Sequence, residues 1–465
     1  MSEGSAPQPP ILSLGPRFFA AVKPADFPKT IMRFRNDPAA REVGLSQLSN
    51  EQWIEHFARF SPLPDNLPEP LALAYHGHQF RNYNPDIGDG RGFTFAQLRD
   101  DRERLMDLGT KGSGRTPFSR TADGRLTLKG AVREVLATEM LEALGVPTSR
   151  TLSVIETGED LERDDEPSPT RSAVLVRLSH SHVRFGTFQR LDYMGDRDAT
   201  ARLLDYVITH FYPDVEAGDA PGLLAAVARR MAVMTARLMA AGFVHGVLNT
   251  DNMNINGECF DYGPWRFLPT LKPGAIAAYF DHGGLYSYGR QPEAIYWNLC
   301  ALADALRSLS NAKTLQAELD RFPRYYEHAF SEAIHRRLGV ARRDPKRDID
   351  FAQAIFTFLY ESQAPFERAF FDLFAGRAGQ GKRARSPHAD VYRDAAAVVE
   401  LDTLEPIELE RIEHDIFDDE PETLLYKDVE ALWAELEPHN RWDLFDDKIS
   451  RIRRMGDAYG LTAAH

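Results

Sequence analysis

The side chains of Asn252 and Asp261 offer an amide oxygen and a carboxylate that stand nine residues apart in the chain. Mg²⁺ prefers hard oxygen ligands of this kind, and bridges them to phosphate oxygens while water fills its other positions. A second carboxylate, Asp251, directly precedes Asn252 and is a candidate proton acceptor. The spacing therefore predicts a divalent-metal site with an acid–base group beside it. The alternative is that Asn249, Asp251 and Asn252 cap turns, as Asn and Asp commonly do.

The stretch from His245 to Asn252 resembles the protein-kinase catalytic loop His-Arg-Asp-x-x-x-x-Asn, and Asp261-Tyr262-Gly263 resembles the Asp-Phe-Gly motif downstream of it. The position of the kinase base is Val247, which cannot take a proton, and a carboxylate reappears at Asp251. We therefore expect an ATP and metal site of kinase type from which the usual phosphotransfer base is absent.

The bulk composition excludes several classes of protein. The chain has 465 residues, enough for one large core or two packed lobes, and its formal net charge is −14. That charge argues against general binding to nucleic acid or anionic membranes, which attract basic surfaces. Two cysteines, Cys259 and Cys300, indicate a reducing compartment, with a redox bridge between them as the alternative. No apolar run reaches the roughly 18 residues of a spanning helix, and Met1–Pro7 lacks the pattern of a secretory signal, so we expect a cytoplasmic protein. We also expect a monomer.

Turn signals and short apolar runs alternate from Leu71 to Leu128, as in strands joined by tight loops, and helical periodicity dominates after residue 195. We expect an α+β protein with a bilobal, protein-kinase-like fold. Its parts would be an irregular arm with short helices at 1–70, a strand-rich N-lobe with nucleotide-binding loops at 71–195, and a helical C-lobe with the catalytic loop and metal site at 196–465. The patterns predict strands at 92–98, 151–156 and 172–178, helices at 129–144, 199–212, 221–242 and 291–309, and a mobile basic loop, alternatively an anion site, at Ala375–Pro387.

Further motifs follow one another along residues 70–305. They are Gly77-His-Gln-Phe80, Gly88-Asp-Gly-Arg91, Lys111-Gly-Ser-Gly114, Thr116-Pro117, Ser119-Arg120, Arg177, Arg184-Phe-Gly-Thr-Phe188, His245-Gly-Val-Leu-Asn-Thr-Asp-Asn-Met253 and Phe260-Asp-Tyr-Gly-Pro264. In this order they resemble the signature of the selenoprotein O family. The resemblance implies a kinase-like protein that binds ATP in an orientation inverted relative to kinases and transfers AMP, not phosphate, to protein hydroxyls.

The resemblance also implies a role for each matching residue. Asp251 would accept the proton, and Asn252 and Asp261 would hold Mg²⁺ or Mn²⁺. The residues implied to contact ATP are Gly88, Gly90, Arg91, Lys111, Asp123, Gly124, Arg177, Arg184 and Asp261. Glycines let backbone amides approach an anion, and lysine and arginine neutralise a triphosphate. Taken singly, Gly88-Asp-Gly90 could be a plain turn, Lys111 a solvated loop lysine, and Arg184 a surface cation stacked on Phe185.

Two glutamates compete as the partner that kinases place beside the phosphate-binding lysine. The family register selects Glu134. Helical periodicity places Glu139 within the apolar stripe of its helix and points Glu134 away from that stripe. We follow the register, and expect Glu139 to bond an arginine such as Arg133 or Arg150.

The sequence thus predicts a protein adenylyltransferase that acts on Ser, Thr or Tyr hydroxyls, with UMP transfer from UTP as a second activity. The alternatives are a conventional phosphotransferase, which Val247 disfavours, and a nucleotide-binding pseudokinase scaffold. The closing segment, Trp433–His465, departs from the family pattern and carries no cysteine, so we expect no redox control through a C-terminal thiol. The acidic stretch Glu405–Glu437 predicts solvated helices, alternatively a surface that docks a substrate.

Overall fold

The computed structural model describes residues 8–164 and 166–461. Met1–Pro7, considered above as a secretory signal, and residues 462–465 of the divergent C-terminal segment lie outside the described residues. The strands of the described chain are β1 (Phe19–Ala21), β2 (Ile31–Arg35), β3 (Leu71–Leu73), β4 (Gly77–Gln79), β5 (Asn82–Asn84), β6 (Thr94–Arg99), β7 (Leu105–Lys111), β8 (Leu126–Thr127), β9 (Arg150–Leu161), β10 (Thr170–Ser179), β11 (Phe243–Val244) and β12 (Arg266–Phe267). The predicted strands at 92–98, 151–156 and 172–178 are confirmed as β6, β9 and β10.

Seven strands form one antiparallel sheet in the order β1-β3-β6-β7-β10-β9-β2, and β8 pairs with β10. The register places Lys111 opposite Leu175, and Arg177 opposite Gly109. Directly opposed residues project from the same face of a sheet, and every second residue along a strand returns to that face. Lys111 and Arg177 are therefore diagonal neighbours on one face, which brings together two of the predicted nucleotide-binding cations.

The first 70 residues are more ordered than the irregular arm that the sequence predicts. β1 pairs with β3 at one edge of the sheet, and β2 pairs with β9 at the other edge. Phe34 is the one fully buried side chain of β2, so no alternating pattern marks this strand in the sequence. These segments become strands because they pair with strands that are distant in sequence. Local sequence patterns do not encode such pairing.

The helices of the described chain surround the sheet and fill the C-terminal part. They are α1 (Asp37–Glu42), α2 (Asn50–Phe57), α3 (Leu128–Ala143), α4 (Phe185–Tyr193), α5 (Arg197–Phe211), α6 (Ala220–Ala240), α7 (Gln291–Ala305), α8 (Ala312–Leu319), α9 (Phe322–Arg337), α10 (Pro345–Ser362), α11 (Phe366–Leu373), α12 (Gln380–Arg383), α13 (Ala389–Tyr392), α14 (Ala396–Leu401), α15 (Tyr426–His439) and α16 (Trp442–Tyr459). The four predicted helices are confirmed as α3, α5, α6 and α7. The protein is thus a mixed α/β structure with a large antiparallel sheet. The kinase-like pairing of two lobes and the domain boundaries stay predictions.

Helix α3 begins after Thr127, whose hydroxyl accepts a hydrogen bond from the backbone N–H of Gly130 and caps the helix. The helix packs against β9 and β10 on one side and against α16 on another. Both candidate glutamates, Glu134 and Glu139, are buried as a result. Helical periodicity cannot show which of the two glutamates is buried, because other elements cover α3 on nearly every side.

The prediction of a loop at Ala375–Pro387 is wrong. The segment forms a 3₁₀ turn at Gly376–Gly379 followed by α12. Arg383 Nη2 lies 2.6 Å from Asp402 Oδ2, and Lys382 and Arg385 lie 3.2 and 3.3 Å from Asp418 Oδ1. Three of the basic side chains that suggested an anion site thus form ion pairs with carboxylates of this chain.

The acidic stretch Glu405–Glu437 is partly buried rather than fully solvated. It contains two 3₁₀ turns, Leu409–Glu413 and Asp415–Asp418, and most of α15. Apolar side chains along it, among them Phe417 and Trp433, belong to the main hydrophobic core. Among the described residues no helix has the length and apolar character to cross a membrane.

Candidate active site

A cavity of about 410 Å³ lies between the sheet and the loop that follows β11, in the size range of small-molecule sites. Nine of the residues that the sequence predicts for the site line it together: Gly88, Gly90, Arg91, Lys111, Arg177, Arg184, Asp251, Asn252 and Asp261. They come from sequence segments up to 173 residues apart (88 to 261). The fold therefore assembles one polar cavity from both halves of the chain.

Asp261 is the negative centre of this cavity. Its Oδ1 lies 2.5 Å from Arg177 Nη1 and 3.8 Å from Lys111 Nζ, and Arg184 Nη1 donates a hydrogen bond to Oδ2. Burial alone would raise the pKa of Asp261, but the charges of Arg177, Arg184 and Lys111 outweigh it and hold that pKa well below its usual range. Asp261 also has a φ of +62°, a conformation that non-glycine residues adopt at a cost of about 1–3 kcal/mol and that clusters at functional sites.

Lys111 is paired with Glu134 rather than with Glu139. Lys111 Nζ lies 2.5 Å from Glu134 Oε2, and Glu134 is 1% exposed. Burial lowers the pKa of Lys111, and the charges of Glu134 and Asp261 oppose that shift. Lys111 is thus a buried strand residue and not a solvated loop lysine.

Glu139 has a partner that the sequence did not indicate. Arg453 of α16 lies 2.7 Å from Glu139 Oε2, and Asn36 Nδ2 donates to Oε1 at 3.2 Å. Of the partners proposed for Glu139, Arg133 lies over the Trp265 ring and Arg150 pairs with Glu42 at 2.8 Å. Helix α16 near the C-terminus therefore supplies the counter-charge for Glu139.

Arg184 is buried, so it is not a surface cation stacked on Phe185. Its guanidinium lies 4.6 Å from the Tyr75 ring centroid and 4.5 Å from that of Phe260. Besides Asp261, it donates to the backbone oxygen of Asp251 at 2.6 Å. Arg184 thus contacts both Asp261, the candidate metal ligand, and Asp251, the candidate proton acceptor.

Asp251 stands in a 3₁₀ turn, Thr250–Asn252, and is 9% exposed. Its Oδ2 lies 3.4 Å from Gln79 Nε2, and no described residue donates to its buried Oδ1. Burial raises the pKa of Asp251 to about 6, although the charge of Arg184 opposes this shift. A buried carboxylate oxygen without a donor, in a cavity, is a suitable proton acceptor near neutral pH.

The β4–β5 hairpin positions this turn. The backbone N–H of His78 donates to Thr250 Oγ1 at 2.7 Å, and that of Phe80 donates to Asn249 Oδ1 at 3.0 Å. A Cβ at Gly77 would lie 3.0 Å from Asp251 Oδ1, so glycine permits this close approach. The sequence presents Gly77-His-Gln-Phe80 as a motif but does not reveal what it contacts, because the partners are more than 160 residues away.

The glycines of the 88–91 loop are also required by packing. A Cβ at Gly88 would lie 2.5 Å from the Phe118 ring, and one at Gly90 would lie 3.0 Å from the Phe118 carbonyl oxygen. The loop therefore lies directly on the segment around Phe118, and both glycines still face the cavity.

Comparison with known proteins identifies the family. Residues 5–453 match the family model described as "Protein adenylyltransferase SelO". The chain belongs to the SelO family. It is 40% identical over 470 residues to the protein nucleotidyltransferase YdiU of Trichodesmium erythraeum, covering 96% of this chain and 98% of that one. It is 43% identical over 463 residues to the YdiU of Gloeobacter violaceus, covering 96% and 95%, and 50% identical over 341 residues to that of Synechococcus elongatus, covering 71% and 68%. The family and these names indicate a nucleotidyltransferase.

Two residues implied by the family resemblance do not line the cavity. Asp123 Oδ2 pairs with Arg163 at 2.9 Å, and its Oδ1 accepts from the backbone N–H of Arg125. Gly124 packs against Gly114, since a Cβ there would lie 2.3 Å from the Gly114 backbone. Contact of Asp123 and Gly124 with a nucleotide stays a prediction.

The donor set fits a divalent metal of the kind that works with phosphates. Asn252 Nδ2 donates to the Val247 carbonyl at 3.0 Å, which leaves Oδ1 as the candidate ligand atom, and both Asn252 and Asp261 line the cavity. Among the described residues, no group of three or more His, Cys, Asp or Glu side chains has the geometry to hold a metal. One carboxylate and one amide match Mg²⁺, which is commonly held by one or two protein oxygens together with substrate phosphates and water.

Proposed function

We propose that this SelO-family chain transfers AMP from ATP to Ser, Thr or Tyr hydroxyls of proteins, and accepts UTP as a second donor. One observation carries the proposal: the buried Asp251 carboxylate lies in the same cavity as Asn252, Asp261 and the cations Lys111, Arg177 and Arg184, while Val247 stands where a kinase has its base. The names of the family and of its relatives support the same activity. A kinase-like arrangement of two lobes around the cavity is part of this proposal.

In the reaction, the acceptor oxygen forms a bond to the α-phosphorus, and the bond from that phosphorus to the bridging oxygen of the β-phosphate breaks. Pyrophosphate leaves, and Asp251 takes the hydroxyl proton on its free Oδ1. Lys111, Arg177 and Arg184 bind the phosphates and meet the charge that develops on them. A divalent metal held by Asn252 and Asp261 would neutralise further phosphate charge.

Binding of the triphosphate must rearrange the ion pairs of the site. Arg177 and Arg184 contact Asp261, and Lys111 contacts Glu134, in the structure described here. Phosphate oxygens would compete for the same donors, and a metal held by Asn252 and Asp261 would replace the positive charge around the Asp261 carboxylate. The cavity thus places its cations around the nucleotide site in advance, so binding exchanges their partners instead of bringing them together.

The transfer itself is tested by mass spectrometry of acceptor proteins after incubation with ATP and Mg²⁺ or Mn²⁺, with pyrophosphate release measured in parallel. We expect acceptor peptides carrying AMP and one pyrophosphate released for each. Phosphorylated peptides with ADP as the product would contradict the proposal. Parallel reactions with UTP test the second donor.

The transfer rate should depend on pH through Asp251. Because the folded pKa is raised to about 6, the carboxylate is protonated below that pH and cannot accept a proton. At saturating ATP the single-turnover rate should rise with pH through about 6 and then level off. This rise with pH should be absent from the residual rate of Asp251→Asn. A flat profile between pH 5 and 8 in the parent protein would rule out Asp251 as the proton acceptor.

Gln79 should act as a positioning residue for Asp251. Its Nε2 is the side-chain donor nearest to Asp251 Oδ2 and lowers the pKa of that carboxyl. Gln79→Leu should therefore lower kcat about tenfold and move the acid limb of the pH profile upward, with the KM for ATP little changed. Asn82→Ala, on the exposed side of the same hairpin, is the matched control. An unshifted acid limb in Gln79→Leu would show that the contact is unimportant.

A further inference from the structure

A second cavity, of about 300 Å³, lies on the other side of the β4–β5 hairpin from the active site. Four aromatic side chains line it: His78, Tyr83, Tyr193 and Trp297. The His78 ring lies edge-on to Trp297 with centroids 5.1 Å apart, and the Tyr83 and Tyr193 rings stack at 5.3 Å. We call this cavity the aromatic pocket.

The charges of the aromatic pocket are negative. Asp192 and Asp304 line it, and no Lys or Arg of the described residues does. Burial raises the pKa of Asp192, and the nearby charge of Asp304 raises it further. The nearest counter-charge of Asp304 is Arg307, at 3.9 Å, and both side chains of that pair are largely exposed. Two carboxylates beside aromatic rings form a site that attracts a cation.

One ring of the aromatic pocket already lies near a guanidinium of this chain. Arg81, at the tip of the hairpin, lies 5.5 Å from the Trp297 ring centroid while it pairs with Glu293 at 3.0 Å. Cations over a Trp face are attracted by its quadrupole, and Arg is the most frequent partner. Among the described residues no group of three or more His, Cys, Asp or Glu side chains has the geometry to hold a metal. The aromatic rings beside the two carboxylates suit an organic cation.

One strand connects the aromatic pocket to the catalytic residue. His78 and Gln79 are neighbours on β4, so their side chains point to opposite faces. His78 lines the aromatic pocket, and Gln79 lines the active-site cavity and reaches Asp251. The two cavities are therefore separated by the width of one strand with its side chains, about 10 Å, which an extended peptide spans in roughly three residues.

We propose that the aromatic pocket binds a Lys or Arg side chain of the acceptor protein, roughly three residues from the hydroxyl that receives AMP. This inference rests on the proposed protein acceptor. It names the class of substrate: acceptor segments in which a basic residue flanks the Ser, Thr or Tyr. The net charge of −14 favours the approach of such basic segments.

Cys300 offers a local probe of this site. Its thiol lines the aromatic pocket and is half-buried, whereas Cys259 is buried, so alkylation can be assigned to Cys300 by mass spectrometry. The probes are short peptides with one Ser and one Arg three residues before or after it, and the same peptides with citrulline, which keeps the shape of Arg without its charge. We expect an arginine peptide to slow iodoacetamide alkylation of Cys300 at about five- to tenfold lower concentration than its citrulline counterpart.

The acidic side chains provide the matched variants. Asp192→Asn/Asp304→Asn should abolish the difference between the arginine and citrulline peptides. Asp101→Asn/Asp350→Asn, which removes two exposed carboxylates outside the pocket, should keep it. Burial raises the pKa of Cys300, and the charge of Asp304 raises it further, so protection must be compared with and without peptide within each variant. Equal protection by both peptides in the parent, or an arginine preference that persists in Asp192→Asn/Asp304→Asn, would overturn the proposal.

The same peptides separate this inference from the proposed function. Transfer of AMP to arginine and citrulline peptides at equal efficiency, with no arginine-specific protection of Cys300, would refute the aromatic pocket and leave the transfer activity standing. Arginine-specific protection without AMP transfer to any peptide or protein would refute the activity and leave the cation pocket standing.

Discussion

Asp251→Asn is expected to lower the rate of AMP transfer by about 10²–10⁴-fold while leaving ATP affinity near that of the parent protein. The variant keeps the size of the side chain but cannot accept the proton of the attacking hydroxyl, and general-base catalysis contributes a factor of this order. ATP affinity should persist because Lys111, Arg177 and Arg184 contact Glu134 and Asp261 and not the Asp251 side chain. Single-turnover transfer and equilibrium binding of ATP measure the two effects separately.

A stability measurement separates an effect of Asp251→Asn on chemistry from a loss of folding. Burial raises the folded pKa of Asp251 from 3.8 to about 6, so the folded protein favours the protonated form. The favourable contribution of that proton is present below pH 3.8 and is lost as the pH rises through 6. Above pH 6 the buried carboxylate costs about 3 kcal/mol, since a shift of one pKa unit corresponds to 1.36 kcal/mol. Asp251→Asn should therefore raise Tm at pH 8 and should raise it much less at pH 4. Transfer at the parental rate in the Asn variant would exclude Asp251 as the base.

On the proposed metal site, Mg²⁺ should increase ATP affinity, and Asp261→Ala should remove that increase. Asp261 is the one carboxylate of the candidate metal pair, and an amide such as Asn252 alone binds Mg²⁺ poorly. Removing Asp261 also releases Lys111, Arg177 and Arg184 from a counter-charge, so ATP affinity in EDTA should stay the same or rise. The ratio of the ATP dissociation constants in EDTA and in Mg²⁺ therefore measures the metal site directly, and it should fall to about one.

Asp89→Asn is the control for Asp261→Ala. Asp89 lines the same cavity and lies 3.6 Å from Arg184, but the sequence does not predict it as a metal ligand. The Mg²⁺ dependence should survive in Asp89→Asn. An equal Mg²⁺ dependence in Asp261→Ala and the parent protein would show that the metal is held elsewhere.

The parts of the site that the sequence predicts are those with local signals. Short loops between hydrophobic strands mark the N-terminal sheet, and the spacing from Asp251 to Asp261 marks the acid–base and metal candidates. The register of β7 against β10 then places Lys111 beside Arg177 without any local signal for that pairing. Only the family resemblance, through the order of the motifs along the chain, predicts that Lys111 and Arg177 lie in one nucleotide site.

The parts that the sequence does not predict depend on tertiary contacts. Periodicity alone points Glu134 away from the apolar stripe, and only the family register selects it. Helix α3 is covered by the sheet and α16, and Glu134 is buried against Lys111. Glu139 pairs with Arg453, which lies more than 300 residues away in the sequence. The support that Gly77-His-Gln-Phe80 gives to Asp251 is equally distant in sequence, so neither composition nor periodicity could indicate it.

Labelled ATP tests the central claim most directly. The protein is incubated with Mg²⁺ or Mn²⁺, a mixed protein extract as acceptor, and ATP labelled at either the α- or the γ-phosphate, and the label that becomes covalently attached to protein is identified. We expect α-label on protein, none from γ-labelled ATP, and loss of the signal in Asp251→Asn. Attachment of γ-label would instead indicate a phosphotransferase, and attachment of neither label would indicate a nucleotide-binding scaffold.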